Sequence, residues 1–143
     1  MKVFLDTSSL IKLYHKENGT KELQSLFLES KIIQIFLSEI TKVEFASTIW
    51  KKIRTKEVSL DNGILILNLF EEDLINYHFI MIDGLLIEQA RKLMLSYGIE
   101  GLRTLDSIQL STCVSLKNEV DLFLTSDKLL NKLIEREGLN TAF

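Results

Sequence analysis

The sequence predicts an α/β fold with a mostly parallel sheet, and three observations carry that expectation. Short apolar runs recur at Val3–Leu5, Ile32–Leu37, Phe79–Ile82 and Leu122–Leu124, each of strand length. Stretches with helical spacing of apolar residues separate them. Polar helix-start residues follow the runs directly, as at Asp6-Thr7-Ser8, Ser38, Asp83 and Thr125-Ser126-Asp127. Strands alternating with helices along a chain give a parallel sheet with helical crossovers.

Taken in order, Val3, Phe4 and Leu5 form the first strand, which Asp6 ends. Thr7, Ser8 and Ser9 open a helix carried by Leu10, Ile11, Leu13 and Tyr14. Asn18-Gly19-Thr20 is a turn, and Thr20 caps a second helix reaching about Ser30. Ile32, Ile33, Ile35, Phe36 and Leu37 make the second strand. Ser38 caps a helix from Glu39 to Lys56, with Val43, Ala46, Ile49, Trp50 and Ile53 as its apolar face. Ser59 caps the next, through Asn76, which is apolar nearly all round. Phe79–Ile82 is the third strand, and Asp83 caps a helix from Gly84 to Tyr97 that Gly98 stops. Thr104 opens a helix with Asp106 in its first turn. Leu122–Leu124 is the fourth strand. Asp127 opens a last helix that Gly138 stops, and Leu139–Phe143 is available as an edge strand.

With 143 residues, 46% hydrophobic and 26% charged, the expectation is a single domain over 1–143. One cysteine, Cys113, excludes an internal disulfide framework and fits a reducing cytoplasm. Cys113 sits among apolar helix residues and reads as core. His15 and His78 with one cysteine argue against zinc, and His15 reads as a surface residue. No signal peptide opens the chain, and no window has the length of a membrane span. Seventeen cations against twenty acids leave a net charge of −3, which lacks the bulk signature of a nucleic-acid binder. Binding to a polyanion then requires a local basic patch or a metal ion.

Four acids share one kind of position, after a strand or in the first half of a helix: Asp6, Glu44, Asp106 and Asp127. Each has a plain structural alternative. Asp6 and Asp127 are good helix caps. Asp106 suits a helix N-terminus, with Arg103 as a partner. Glu44 has Ile40, Thr41, Ser47 and Thr48 as its helical neighbours, so no cation is near it in sequence. Carboxylates gathered at one sheet edge repel one another unless a cation joins them. Oxygen-only donors select Mg²⁺ or Mn²⁺, which polarise phosphoryl oxygens. Thr7, Ser8 and Thr125 stand beside these acids as phosphate or water contacts, with capping as their plain alternative. Lys12 and Arg103 are the cations best placed to steer RNA. Trp50–Lys56, with its cations, complements a helix C-terminus and is a second phosphate candidate.

The segments FLDTSSLIKLY, SEITKVEFA, LRTLDSIQLS and LFLTSDKLL, in that order, resemble the PIN-domain nucleases and most closely the VapC-type toxins of toxin–antitoxin pairs. The likeness runs from Met1 to about Gly138. It implies a three-layer α/β/α fold around a mostly parallel sheet of four to five strands. It places the family's acids on Asp6, Glu44, Asp106 and Asp127, as catalytic and metal-ligating residues. It further implies a Mg²⁺- or Mn²⁺-dependent ribonuclease, a homodimer, and inhibition by a small antitoxin protein that inserts a peptide near the acids. Ser107 stands where the family usually has alanine, and the chain is acidic overall.

Other readings remain open. An aspartyl-phosphate phosphatase needs an acid at the position of Ser8. A receiver domain needs an acidic pair after the first strand, although Asp83 does follow the third. A PIN fold kept as a non-catalytic binding or scaffold module is the alternative from a different class. The helices Glu39–Lys56 and Ser59–Asn76 carry more apolar surface than one sheet needs, which predicts a dimer face, an antitoxin face, or both.

Overall fold

A computed structural model describes residues 1–143. Strands β1 (Lys2–Leu5), β2 (Gln34–Ser38), β3 (Tyr77–Ile80) and β4 (Leu122–Leu124) form one sheet in the order β3-β2-β1-β4, every neighbouring pair parallel. The helices are α1 (Thr7–Ile11), α2 (Thr20–Glu29), α3 (Thr41–Arg54), α4 (Leu60–Asp73), α5 (Gly84–Tyr97), α6 (Thr104–Ser115) and α7 (Lys128–Arg136).

The strands are apolar without alternation because both sheet faces are covered. Phe4, Phe36 and Phe123 point into one core with Leu93 of α5, Leu110 and Cys113 of α6, and Leu130, Leu133 and Ile134 of α7. Their neighbours Leu5, Leu37 and Leu124 point the other way, against Leu10 and Ile11 of α1, Leu23 of α2, Phe45 and Ile49 of α3, and Ile66 and Phe70 of α4. The result is three layers, α/β/α, as expected. The expected C-terminal edge strand is a single bridge, Phe123 to Thr141. No helix is long and apolar enough to cross a membrane.

Several boundaries differ from the sequence reading, the two strand starts for a reason of pairing. β2 starts at Gln34, not Ile32, because Gln34 pairs with Lys2 at the very start of β1. Ile33 lies beyond that edge and is exposed. β3 occupies Tyr77–Ile80 rather than Phe79–Ile82, since those four residues are the ones that meet Ile35–Ser38 of β2. Helix α5 ends at Tyr97 with Gly98 as its cap, as expected, although Gly98 keeps a helical φ of −57° instead of turning left-handed. The chain runs on through a tight turn at Gly98–Glu100 and reverses at Gly101, with φ +104°. Thr20 is the first residue of α2 rather than its cap, and its hydroxyl accepts from the Glu17 amide at 3.0 Å. Ser38 is the last residue of β2, not a cap, and α3 begins at Thr41.

The buried stripe of α3 is Thr41, Phe45 and Ile49, at spacings of four, and Val43 is 68% exposed. The expected apolar face includes Val43 and lacks Phe45, which is fully buried. Phe45 wins because its ring stacks on Phe70 at 4.0 Å and meets Tyr14 edge-on at 5.1 Å. Helices α3 and α4 approach closely at Gly63, where a Cβ would lie 2.3 Å from Ile53 Cδ1. The opposite side of α4 leaves Leu60, Leu65 and Leu69 exposed.

Candidate functional site

The carboxyl ends of parallel strands, at the point where strand order reverses, form the ligand crevice of an open α/β sheet. Here that point lies between β1 and β4, where β1 has its first crossover partner β2 on one side and the last strand on the other. A cleft of about 360 Å³ opens there, lined by Asp6, Thr7, Ser8, Ile11, Glu17, Glu44, Thr48, Lys52, Asp106, Gln109 and Asp127. All four sequence-selected acids therefore face one cleft.

Asp6 follows β1 directly, and its amide extends the ladder by donating to the Leu124 carbonyl at 3.1 Å. That bond sets it beside Thr125. The side chain is both a helix cap and part of the cleft. Oδ1 accepts from the Ser9 amide at 2.9 Å and the Ser8 hydroxyl at 2.7 Å, and Oδ2 accepts from Thr125 Oγ1 at 2.5 Å. Burial pushes its pKa up to about 6, and the Glu44 charge adds to the rise, although these three bonds oppose it. Ser8 and Thr125 are thus committed to Asp6, and Ser8 also accepts from the Ser126 amide at 3.0 Å.

Glu44 projects from α3, with Thr48 one turn further along on the same face. Its Oε1 accepts from Thr7 Oγ1 at 2.9 Å and from Gln109 Nε2 at 2.8 Å. Asp106, half-buried in the first turn of α6, takes no hydrogen bond from the protein. Burial raises its pKa, the charges of Asp127 and Glu44 raise it further, and Arg103 pulls the other way. Asp127 is exposed at the rim and caps α7, accepting from the Leu130 amide at 2.7 Å.

The acids share the cleft without forming a closed cage: no three Asp, Glu, His or Cys side chains stand close enough together to hold a metal ion. Glu44 is drawn towards Thr7 and Gln109, and Asp6 towards Thr125, so each carboxylate leans on the wall rather than on its neighbours. The donor set is nonetheless carboxylate oxygens only, suited to a hard divalent cation. Glu44 Oε2 and both oxygens of Asp106 take no protein hydrogen bond.

Lys12 does not enter this cleft. It lines a neighbouring groove with Ser9, Gly19, Glu22, Thr125, Ser126 and Lys128. Arg103 lies in a second adjoining groove that shares Glu44 and Asp106 with the first. The cation inside the acid cleft is Lys52, from the basic run at the end of α3. Its Nζ bonds Glu17 at 3.2 Å and Glu57 at 3.1 Å. Burial works to lower the Lys52 pKa, but the bonds to Glu57 and Glu17 outweigh it and leave it raised. Asp83 caps α5, donating nothing to the cleft, and Cys113 is core, its thiol pushed well up by burial.

Sequence reasoning missed Gln109 and Glu17, and reached Lys52 only as one cation of the run Trp50–Lys56. Gln109 is three residues past Asp106, and Lys52 is eight past Glu44, so helical spacing placed both on the acid faces. Glu17 lies in the turn before α2 and carried no such signal.

The fold recurs in solved structures. A VapC toxin of Mycobacterium tuberculosis that cleaves the sarcin-ricin loop matches with a TM-score of 0.67 and 15% identity, over 92% of this chain and 94% of that one. The VapBC complex of Rickettsia felis, bound to promoter DNA, matches at 0.65 and 16% identity over 99% and 98%. The DNA-bound VapBC of Salmonella typhimurium matches at 0.61 and 18% identity over 99% and 97%. At these identities the likeness is one of fold. No curated protein sequence matches the chain. The PIN-domain family model aligns with residues 3–135, nearly the whole chain, and with the parallel sheet and the acid-lined cleft this establishes that the chain belongs to the PIN-domain family.

Proposed function

We propose that this protein is a cytoplasmic, metal-dependent endoribonuclease, the toxin of a VapBC-type pair. The observation that carries the reading is the gathering of Asp6, Glu44, Asp106 and Asp127 in one cleft at the sheet's carboxyl end, with Asp106 left unbonded. Asp6, Glu44 and Asp106 would hold a Mg²⁺ or Mn²⁺ ion, with Asp127 at the rim. Such an ion supplies positive charge that offsets the carboxylates and steadies charge building on a phosphate. Thr7 orients Glu44, while Ser8 and Thr125 orient Asp6. Lys52 on the cleft wall, Arg103 in the adjoining groove and Lys12 beyond Ser9 offer cations along a single RNA strand on an otherwise acidic protein.

The partners follow from the same reading. A small antitoxin protein restrains the cleft, and the exposed apolar side chains of α4 support a homodimer. One observation favours a second reading, a binding module without turnover: the acids as they stand form no closed cage. The two part in one assay. Purified protein, sized by light scattering, is given a mixed-sequence RNA with Mg²⁺ or Mn²⁺ and with EDTA. A cleaving dimer that EDTA silences is the expected result. RNA retained intact under every metal condition would establish the binding module instead.

A further inference from the structure

Gln109 is 2% exposed, and its amide reaches two other helices, α3 and α1, at once. Nε2 lies 2.8 Å from Glu44 Oε1, 3.1 Å from Thr41 Oγ1 and 3.3 Å from Thr7 Oγ1. Thr7 Oγ1 is in turn 2.9 Å from Glu44 Oε1 and 3.0 Å from Thr41 Oγ1. An ionised carboxylate only accepts, and that fixes the direction of the bonds around it. Thr7 donates to Glu44, so Thr41 must donate to Thr7. Gln109 then gives one amide proton to Glu44 and the other to the threonine hydroxyls, Thr41 at 3.1 Å and Thr7 at 3.3 Å. The opposite amide orientation would set Oε1 against the carboxylate. As it stands, Gln109 Oε1 is buried with no partner. A buried acceptor without a donor destabilises the fold, and native structures hold few of them.

We propose that Gln109 is a positioning residue, whose amide, together with Thr7, holds Oε1 of Glu44 against the wall and leaves Oε2 for the cleft's ligand. The uncompensated carbonyl is the cost of pointing both amide protons at that clamp. The ligand, a divalent cation, rests on the ribonuclease reading above; the clamp itself does not. Hydrogen-bonded groups behind a metal ligand set its affinity, and losing one typically weakens binding or activity by roughly 10–100-fold.

Gln109→Met keeps the length of the side chain and removes both the clamp and the orphan carbonyl. Metal-free, the variant should melt at or above the wild-type temperature. Its Mn²⁺ dissociation constant, from titration calorimetry, should rise about tenfold or more. Its kcat should fall by a similar factor, with KM nearly unchanged. A purely structural Gln109 would give the reverse: a lower melting temperature with wild-type Mn²⁺ affinity in the folded fraction, and that would overturn the proposal. A separate arm needs no metal. In the metal-free wild type, both Gln109 side-chain amide protons should exchange slowly by NMR, and Glu44→Ala should release one of them. If wild type binds no Mn²⁺ and cuts no RNA, the functional reading fails, and this arm still decides the clamp. Amide protons unchanged in Glu44→Ala would refute it.

Discussion

Asp106→Asn is expected to lower metal-dependent RNA cleavage by at least about a hundredfold, the scale of losing one charge aimed at the reacting centre. Asp106 is the cleanest position for the experiment. Its carboxylate takes no hydrogen bond from the protein, so no hydrogen bond of the fold is lost with its charge. Asparagine has nearly the same shape, and a half-buried residue in the first turn of α6 tolerates it. On balance the charge is a burden, since burial raises its pKa and Asp127 and Glu44 raise it further, against Arg103. A loss of rate in a variant that melts normally therefore reports on chemistry rather than folding. Asp6→Asn should show a comparable loss, although there the bond that Oδ2 accepts from Thr125 must also be reversed. The measurement is kcat/KM on a labelled RNA with saturating Mg²⁺ or Mn²⁺. Wild-type turnover in Asp106→Asn would remove that residue from the mechanism.

The second large effect is on stability. The Asp6 carboxyl is raised from 3.8 to about 6 on folding, chiefly by burial. The sign follows from proton binding. Between those values the folded chain keeps a proton that the unfolded chain has released. Stability is then fully present below about 4, falls as pH rises through 6, and changes little from this group above that. A shift of this size corresponds to about 3 kcal/mol of stability lost across the window, from the energy of one pKa unit. Asp106, also raised, acts in the same direction. Asp6→Asn removes the titration while an amide still caps α1, because asparagine caps a helix about as well as aspartate. The variant, in EDTA, should therefore be more stable than wild type at pH 7 and nearly equal to it at pH 4. Urea unfolding of both proteins across that range measures the difference. Parallel pH profiles would show that the Asp6 carboxyl pays no burial penalty.

What the sequence made legible follows from how far each interaction reaches along the chain. Asp6, Asp83 and Asp127 were readable because an acid at or just past the end of an apolar run has few roles, and all three cap helices in the structure. Glu44 stood out by lacking a local cation, and the structure binds it to Thr7 and Gln109, far away in sequence. Gln109 was missed although its spacing from Asp106 was visible, because a lone buried glutamine announces no chemistry. Lys52 looked like a cation on a helix C-terminus. In the cleft it pairs with Glu17, which lies before α2 and β2 in the chain, and no local pattern encodes that pair. The face of α3 was misphased at Val43 because Phe45 is chosen by rings from α4 and from the turn after α1. Strand starts shifted by two residues because the edge of a neighbouring strand, not the apolar run, decides where pairing begins.

The central claim is that these carboxylates share one divalent cation, and four melting curves test it most directly. Wild type and Asp106→Asn are each melted with EDTA and with Mg²⁺, at matched ionic strength because salt alone screens exposed charge. At a free concentration ten times the dissociation constant, linkage stabilises the wild type by about 1.4 kcal/mol. For a domain of this size that raises the melting temperature by about 2–6 °C. The account predicts that shift in wild type, little or none in Asp106→Asn, and a metal-free variant at least as stable as metal-free wild type. An equal shift in both proteins would contradict the assignment of Asp106, and no shift in either would contradict the shared metal site altogether.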